Sequence, residues 1–326
     1  MSECKIHFLN VLNGDCTIIE HETGRISVID ICNGNVPSAS QSVEANYNRQ
    51  NNSTNPIDYL LDICENNSVF RFILTHPDMD HMDGIKKLFY NFHPINFCDT
   101  NHEKDLSKEG FENYEENDWE FYKNIRQSQN NPKTLHLHEG NKGEYYTNDG
   151  FEIISPNKKL VEKLKKSNNP DWNEISYVIL HNVYNRKILY CGDSGNKAWK
   201  NIMEDENLLD KIRDIDILLA PHHGRKTGGD DLNKYLNQLN PKLAILGNTE
   251  NSEHKNYSAF YNRRIPILTN NEAGDIIVTV EKHVEINNNI YGNIYIEMSK
   301  NNWNNLLKTK KENWKDLPKE NKIHLN

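Results

Sequence analysis

Residues 75–84, Thr-His-Pro-Asp-Met-Asp-His-Met-Asp-Gly, place two histidines and three carboxylates within eight positions. The apolar run 69–74 precedes this stretch, and Ile85, Leu88 and Phe89 follow it at the spacing of one helical face. The stretch is therefore predicted to be a turn between a buried strand and the start of a helix. Five ionisable groups in such a turn are costly unless a cation neutralises them, so the pattern indicates a metal site.

The bulk composition fits a sizeable globular protein without an overall affinity for polyanions. The chain has 326 residues, 36% of them hydrophobic, which is enough for one large domain or two small ones. Its formal net charge of −9 means that any contact with nucleic acid needs a local basic patch or metal ions.

The six cysteines and the apolar segments favour a soluble protein in a reducing compartment. No two cysteines have the C-x-x-C spacing, and their scatter is unlike a dense disulfide framework. The first residues lack the apolar core of a signal peptide, and no apolar run approaches the length of a membrane span. We therefore expect a cytoplasmic protein without a membrane segment.

Polar segments suggest one large domain with additions. We expect the domain to cover residues 1–285 and a C-terminal extension to cover 286–326. Residues 33–55 are rich in Asn and Ser and are predicted to be a polar insertion. Residues 103–131 are acidic and aromatic, which favours a helix or a lid.

Hydrophobic patterning predicts strands and helices that alternate after an opening β-meander. A helix is predicted to begin at Pro56, with Thr54 or Asn55 as its N-cap. Two more helices are expected at 196–202 and 231–239. The predicted strands are 5–11, 16–20, 25–31, 69–74, 95–98, 151–154, 175–180, 187–191, 215–220, 243–246 and 276–280.

Two further strand ends carry side chains of the kind that bind metals. Gly192-Asp193 follows one apolar strand, and Pro221-His222-His223-Gly224 follows another. In α/β proteins the carboxyl ends of strands meet at one edge, where ligands collect. Either motif alone is weak or moderate, but together with the turn at 75–84 they form a strong pattern.

These motifs resemble the metallo-β-lactamase superfamily in its H-x-D-x-D-H variety, and most of all the nuclease-like domain of the ComEC competence proteins. Leu12-Asn13-Gly14-Asp15 and Val28-Ile29-Asp30 also match, and Ser252-Glu253-His254 is a weaker match. The resemblance runs from about residue 5 to 281 and implies an α/β fold, a four-layer αββα sandwich with metals at one edge. The membrane channel of ComEC has no counterpart in this sequence, so a role in DNA uptake is not implied.

The resemblance implies a centre with two divalent metal ions. His76 and Asp78 would hold one ion, Asp80 and His81 would hold the other, and Asp193 would bridge them. Asp78 replaces the histidine of the more familiar zinc hydrolases. The site is therefore richer in oxygen ligands, which shifts its preference toward Mn²⁺ or Mg²⁺ relative to Zn²⁺. Mn²⁺ or Zn²⁺ is expected rather than Mg²⁺.

Two parts of the ligand set stay open at the level of sequence. Either His222 or His223 would complete the second site. Many superfamily members also supply a histidine to the first metal from the middle of the chain, and His102, His136 or His138 would take that place here. None of these three lies in a matching motif.

The implied reaction is hydrolysis by a metal-activated hydroxide that attacks phosphorus in line. Asp80 and Asp193 would orient the hydroxide. Arg225 and Lys226 would offset negative charge in the transition state. His254 is expected to protonate the leaving oxygen.

Three functions are compatible with these motifs. The leading interpretation is a metal-dependent phosphodiesterase, in particular a nuclease acting on DNA or RNA. The alternatives are a hydrolase of small phosphoesters or lactones and a non-catalytic metal-binding partner in a multi-protein system, for instance one that defends against foreign DNA. The charge of −9 favours small substrates, whereas the resemblance to ComEC favours a nuclease. The oligomeric state is left open.

Overall fold

The fold was obtained as a computed structural model, which describes residues 3–11, 13–36, 53–64, 66, 68–108, 110–111, 113–225, 232–249, 257–284, 290–299 and 322–325. Within these ranges two β-sheets face each other, and helices cover both outer faces. The predicted four-layer αββα arrangement is therefore present.

The first sheet has nine strands in the described part of the chain, in the order β15-β14-β13-β1-β2-β3-β4-β5-β6. β1, β2 and β3 are antiparallel neighbours, which confirms the predicted meander, and β3 to β6 run parallel. The strands are β1 (Glu3–Phe8), β2 (Thr17–Glu20), β3 (Ile26–Ile29), β4 (Arg71–Ile73), β5 (Asn96–Cys98), β6 (Lys133–Leu135), β13 (Ile276–Val284), β14 (Ile290–Met298) and β15 (Lys322–Leu325).

The second sheet has six strands among the described residues, in the order β12-β11-β10-β9-β8-β7. β7, β8 and β9 are antiparallel, and β9 to β12 run parallel. The strands are β7 (Phe151–Ser155), β8 (Val178–Val183), β9 (Arg186–Tyr190), β10 (Ile217–Leu219), β11 (Leu243–Leu246) and β12 (Ile267–Thr269).

Helices pack on both sheets through amphipathic faces. Leu60, Leu88 and Trp119 from α1, α2 and α3 lie in one apolar cluster with the outer face of the first sheet. Trp199 and Leu236 from α6 and α8 do the same on the second sheet. The helices are α1 (Pro56–Ile63), α2 (Ile85–Phe92), α3 (Glu116–Ile125), α4 (Glu144–Asn148), α5 (Lys158–Lys165), α6 (Asn196–Met203), α7 (Glu206–Lys211), α8 (Leu232–Leu239), α9 (Tyr257–Tyr261) and α10 (Asn270–Ala273).

The main core lies between the two sheets. Ile6 and Ile29 from the first sheet and Ile179 and Ile217 from the second are buried in the same cluster. Each strand sends alternate side chains to this core and to the helical layer. This shared core fixes the distance between the sheets. It therefore also fixes the relative positions of residues that the two sheets contribute to a common site.

Local contacts explain one shift from the predicted elements. The strand expected over residues 175–180 begins only at Val178, because Trp172–Ile175 form a 3₁₀ turn. The carboxylate of Glu174 in that turn accepts hydrogen bonds from the backbone N–H groups of Lys197 and Ala198 at the start of α6. The turn is thus used as a helix cap, which strand propensity does not reveal.

The segment expected to be a helix or a lid contains α3. Its residue Asp118 accepts hydrogen bonds from the backbone N–H groups of Gly84 and Lys86 at the start of α2. This side chain, rather than Asp83, satisfies the amides of that helix terminus. Asp83 instead accepts from the backbone N–H of Asn33 and the side-chain amide of Asn35.

None of the helices in the described ranges is both long enough and apolar enough to cross a membrane.

Candidate metal centre

The parallel halves of the two sheets bring four strand ends to one edge of the sandwich. Asp30 follows β3, and His76 follows β4, which pairs with β3 in parallel register. Asp193 follows β9, and His222 follows β10, which pairs with β9 in the same way. The carboxyl ends of these strands are the positions where α/β folds place ligands.

Asp193 stands at the centre of the group and contacts a different pair of histidines through each oxygen. Its Oδ1 lies 3.4 Å from Nε2 of His81 and 3.6 Å from Nε2 of His223. Its Oδ2 lies 3.3 Å from Nε2 of His222 and 3.8 Å from Nε2 of His76. The single carboxylate thus divides the four imidazoles into two sets.

Two carboxylates of the turn at 75–84, Asp78 and Asp80, follow the same division. Oδ2 of Asp78 lies 3.7 Å from Nε2 of His76. Oδ2 of Asp80 lies 3.7 Å from Nε2 of His223 and 3.9 Å from Nε2 of His81. The structure therefore brings together every residue that was predicted to bind metal, namely His76, Asp78, Asp80, His81, Asp193, His222 and His223.

Both His222 and His223 reach Asp193, so the structure brings both of the alternative ligands to the centre. Their backbones have φ angles of 51° and 54°, in the left-handed region that residues other than glycine seldom adopt. This conformation lets two consecutive imidazoles face the same carboxylate. Strained backbone of this kind is concentrated at functional sites.

Two aspartates fix the orientation of two buried histidines, His81 and His223. Nδ1 of His81 lies 2.8 Å from Oδ2 of Asp30, and Nδ1 of His223 lies 3.1 Å from Oδ1 of Asp15. A carboxylate on one ring nitrogen directs the other toward a ligand and fixes the tautomer. Asp15 and Asp30 lie in motifs that carry the family resemblance, but the sequence alone gave them no role.

Several buried atoms of the group have no hydrogen-bond partner within the part of the chain that the structure describes. They are Nε2 of His76, His81 and His223, and Oδ1 of Asp193. Buried polar atoms are paired in the great majority of cases, so an unpaired cluster needs an explanation. Converging imidazole nitrogens and carboxylate oxygens are suitable ligands for a divalent transition metal.

The protonation states of the metal-free group reflect its crowding. Burial lowers the pKa of His223, but Asp15 and Asp193 outweigh it and raise that pKa to about 10. Burial also opposes the charge on Asp193, yet the surrounding histidines hold its pKa well below the usual value. Because metal ligands must be deprotonated, binding of a divalent ion here would release protons.

Lys104 is a member of the site that the sequence analysis did not identify. Its Nζ lies 2.7 Å from Oδ1 of Asp78, and both side chains are mostly shielded from solvent. No local pattern marks it, because it lies 26 positions away in an ordinary polar stretch. The Lys104 ammonium therefore places a positive charge next to Asp78, at the partly exposed side of the centre.

The three mid-chain histidines are engaged elsewhere. His102 has both ring nitrogens in hydrogen bonds, with the hydroxyl of Tyr122 and the backbone N–H of Lys104. His136 and His138 each contact a backbone carbonyl through Nδ1. The position beside His76 and Asp193 is instead occupied by the imidazole of His222.

Two predicted catalytic residues, Lys226 and His254, lie outside the described residues. Arg225 is described and directly follows the histidine turn. Its Nε is buried without a hydrogen-bond partner. Its positive charge helps to lower the pKa of His222, after the larger effect of burial.

Comparison with known proteins finds distant structural matches. No family model and no curated protein matches the sequence. Among solved structures, a diphosphatase of the PhnP family is 13% identical with a TM-score of 0.39, over 79% of this chain and 81% of that one. A metallo-β-lactamase with a HARLDQ motif from Cronobacter sakazakii is 10% identical with a TM-score of 0.36, over 66% and 73%.

A subclass B3 metallo-β-lactamase, MEM-A1, from a soil metagenome library is 11% identical with a TM-score of 0.36, over 68% and 78% of the two chains. Metallo-β-lactamases are thus among the structures that the chain resembles in fold. At these scores the likeness concerns the fold alone and says nothing about the substrate. The resemblance to ComEC stays a prediction.

Proposed function

We propose that this protein is a metal-dependent hydrolase that cleaves phosphodiesters. The observation that carries the proposal is the cluster of buried, unpaired donor atoms around Asp193, contributed by His76, His81 and His223. Such a cluster is costly to maintain in a fold unless a cation compensates it.

The donors separate into two candidate sites that share Asp193. His81 and His223, with Asp80, form the more compact one, and His76 with Asp78 and His222 form the other. When bound, a pair of divalent ions supplies Lewis acidity toward a phosphoryl group and lowers the pKa of a water molecule. The mixture of imidazoles and carboxylates suits Mn²⁺ or Zn²⁺ better than Mg²⁺.

Positive side chains beside the donors support a phosphate substrate. Lys104 contacts Asp78, and Arg225 follows the two histidines, so both flank the centre. A guanidinium and an ammonium are the groups that bind phosphate oxygens in proteins. For a chain with a net charge of −9, such a local set of cations is what an anionic substrate requires.

A small phosphoester or lactone is the second candidate substrate. The overall negative charge favours it, since a long polyanion would be repelled by the rest of the surface. The burial of the centre also favours a small substrate, because His81 and Asp193 are almost completely buried.

The test measures hydrolysis by metal-stripped protein after addition of Mn²⁺, Zn²⁺ or Mg²⁺. The substrates are bis(p-nitrophenyl) phosphate, linear and circular DNA, and RNA. We expect Mn²⁺ or Zn²⁺ to restore activity, and Asp193→Ala to reduce it at least about a hundredfold, more than the loss of a residue that only orients a ligand. Asp210→Ala, at an exposed aspartate, is the matched control.

The outcomes separate the alternatives. Cleavage of polynucleotides supports the nuclease, and cleavage of the small diester alone supports the second candidate. Absence of bound metal together with no hydrolysis of any substrate would contradict the proposal and favour a non-catalytic role with a protein partner.

A further inference from the structure

A second group of metal-type side chains lies away from the Asp193 centre. Sγ of Cys4 in β1, one ring nitrogen of His21 after β2 and one of His181 in β8 are all within 4.8 Å of one another. All three residues are almost completely buried. The two sheets contribute to this group as well, since Cys4 and His21 belong to the first and His181 to the second.

The two groups lie at opposite ends of the same strand. Asp15 precedes β2 and contacts His223, whereas His21 follows β2. Six residues of extended chain span roughly 20 Å. The second group is therefore separate from the Asp193 centre and not a part of it.

Hydrogen bonds leave one nitrogen of each histidine for the cluster. Nε2 of His21 lies 2.8 Å from the hydroxyl of Ser27, and Nδ1 of His181 lies 3.1 Å from the hydroxyl of Tyr190. The remaining Nε2 of His181 is buried and has no hydrogen-bond partner among the residues that the structure describes. Burying a polar nitrogen without a partner is unfavourable, so this position favours a ligand.

We propose that Cys4, His21 and His181 bind a single divalent transition metal ion of the zinc class. A thiolate and two neutral imidazoles are preferred ligands of such ions. Three protein ligands leave one coordination position for solvent. A cavity of about 220 Å³, lined by the three residues together with Glu22, supplies the room for it.

The electrostatic surroundings favour neutral imidazoles and a bound cation, and they oppose the thiolate form of Cys4, which a metal ion would have to stabilise. Burial lowers the pKa of His21 to about 3, so its imidazole is neutral and able to coordinate. Burial and then the carboxylates of Glu22, Glu20 and Asp149 raise the pKa of the Cys4 thiol. The same negative charges would attract a cation.

The nearest cations do not cancel this attraction. Arg71 and Arg25 both pair with Asp149, which offsets one of their two positive charges, and Glu20 with Glu22 outnumbers the one that remains. The two other carboxylates near Cys4, Glu20 and Glu22, are hydrogen-bonded to His7 and to the hydroxyl of Tyr184.

Cobalt titration of the full chain tests the proposal. Metal-stripped protein is titrated with Co²⁺, and the near-ultraviolet thiolate-to-cobalt charge-transfer band is recorded. Among the described residues, those that contact Asp193 include no cysteine, so the band reports the Cys4 site alone, and we expect its final intensity to correspond to one thiolate-bound Co²⁺ per chain. Cys4→Ala should abolish it.

Three variants keep the result interpretable. Cys98→Ala alters a buried cysteine of the same core and should leave the band unchanged. His21→Gln should weaken cobalt affinity at least about tenfold. Asp193→Ala should keep the band, which separates this site from the proposed hydrolytic centre.

The absence of a thiolate band in the wild type, or its persistence in Cys4→Ala, would overturn the proposal. The group would then be ordinary core, in which the rings of His21 and His181 pack against Phe151 at centroid distances of 5.2 and 4.6 Å.

Discussion

Asp30 accepts hydrogen bonds from His81 and from Thr75, the first residue of the turn at 75–84. Its Oδ2 lies 2.8 Å from Nδ1 of His81, and its two oxygens also accept from the backbone N–H and the hydroxyl of Thr75. One carboxylate therefore holds both the imidazole and the backbone that precedes it, which is why Nε2 of His81 faces Asp193.

We expect Asp30→Asn to weaken metal binding about 10–100-fold, because the amide cannot accept all three hydrogen bonds. Asparagine tolerates the left-handed backbone of this position, where φ is 56°, so the fold should survive. Affinity is measured by competition with a chelator. Asp210→Asn at an exposed site is the control, and equal affinities in both variants would contradict the role of Asp30.

His222 and His223 should contribute unequally to metal affinity. His223 is 1% exposed at its side chain and supported by Asp15, whereas the side chain of His222 is 15% exposed. We expect His223→Gln to lower the affinity for the first metal equivalent at least about tenfold more than His222→Gln does. Calorimetric titration measures both, and the reverse order would show that the compact group is not the tighter site.

Lys104 should limit metal binding beside Asp78. An ammonium 2.7 Å from Oδ1 of Asp78 repels a second cation by about 1–4 kcal/mol. We expect Lys104→Met to tighten binding of the second metal equivalent at least about tenfold. Lys104→Arg keeps the charge and is the control; unchanged or weaker binding in the methionine variant would refute this role.

Gly14 should be essential for the position of Asp80. A Cβ at Gly14 would lie 2.0 Å from the backbone carbonyl oxygen of Asp80, and its φ of 109° is unfavourable for other residues. Gly24 has a φ of 79° but no neighbour within 4 Å of the added atom.

We expect Gly14→Ala to cost about 1–3 kcal/mol more than Gly24→Ala in the free energy of unfolding, because only the first adds a steric clash to the backbone strain. Denaturant unfolding of both variants measures the difference. Equal losses would mean that the contact with Asp80 relaxes freely.

Asp83 should make the fold less stable as the pH rises. Burial raises its pKa to about 6 from an ordinary value of 3.8; hydrogen bonds from Asn35 and Asn33 oppose the rise, and Asp118 adds to it. Because the folded-state pKa is the higher one, this stabilisation is complete below about pH 4 and is lost as the pH rises through about 6.

Two pKa units correspond to about 3 kcal/mol. We therefore expect the stability of Asp83→Asn relative to the wild type to improve by up to about 3 kcal/mol between pH 4 and pH 7. Urea unfolding of metal-free protein measures the change of this difference with pH, so a constant cost of the substitution does not matter. A difference in unfolding free energy between the two proteins that stays constant from pH 4 to pH 7 would contradict the prediction.

The strand ends could be predicted because their signal is local. The turn 75–84, Asp193 and His222-His223 each follow an apolar run directly, and the register of parallel strands brings such ends together. The αββα layers are expected from the family resemblance that these motifs carry.

Other parts depend on backbone angles and long-range contacts. His222 and His223 both face Asp193 only because two successive residues adopt positive φ, and no residue type in that turn requires this. Asp15 and His223 are 208 positions apart in the sequence. Lys104 contacts Asp78 from a polar segment whose sequence carries no motif. The Cys4 group has no spacing signal at all, because its members come from three separate strands or strand ends.

The division of donors between the two sheets has a consequence for the order of folding. His76 and His81 are carried by the first sheet, and Asp193 with His222 and His223 by the second. No fragment that contains only one sheet can assemble the centre, so a metal ion gains its full set of ligands only after the sheets have docked. Added metal should then slow unfolding of the finished protein and leave the early refolding rate nearly unchanged, since interactions absent from the transition state act on the unfolding rate.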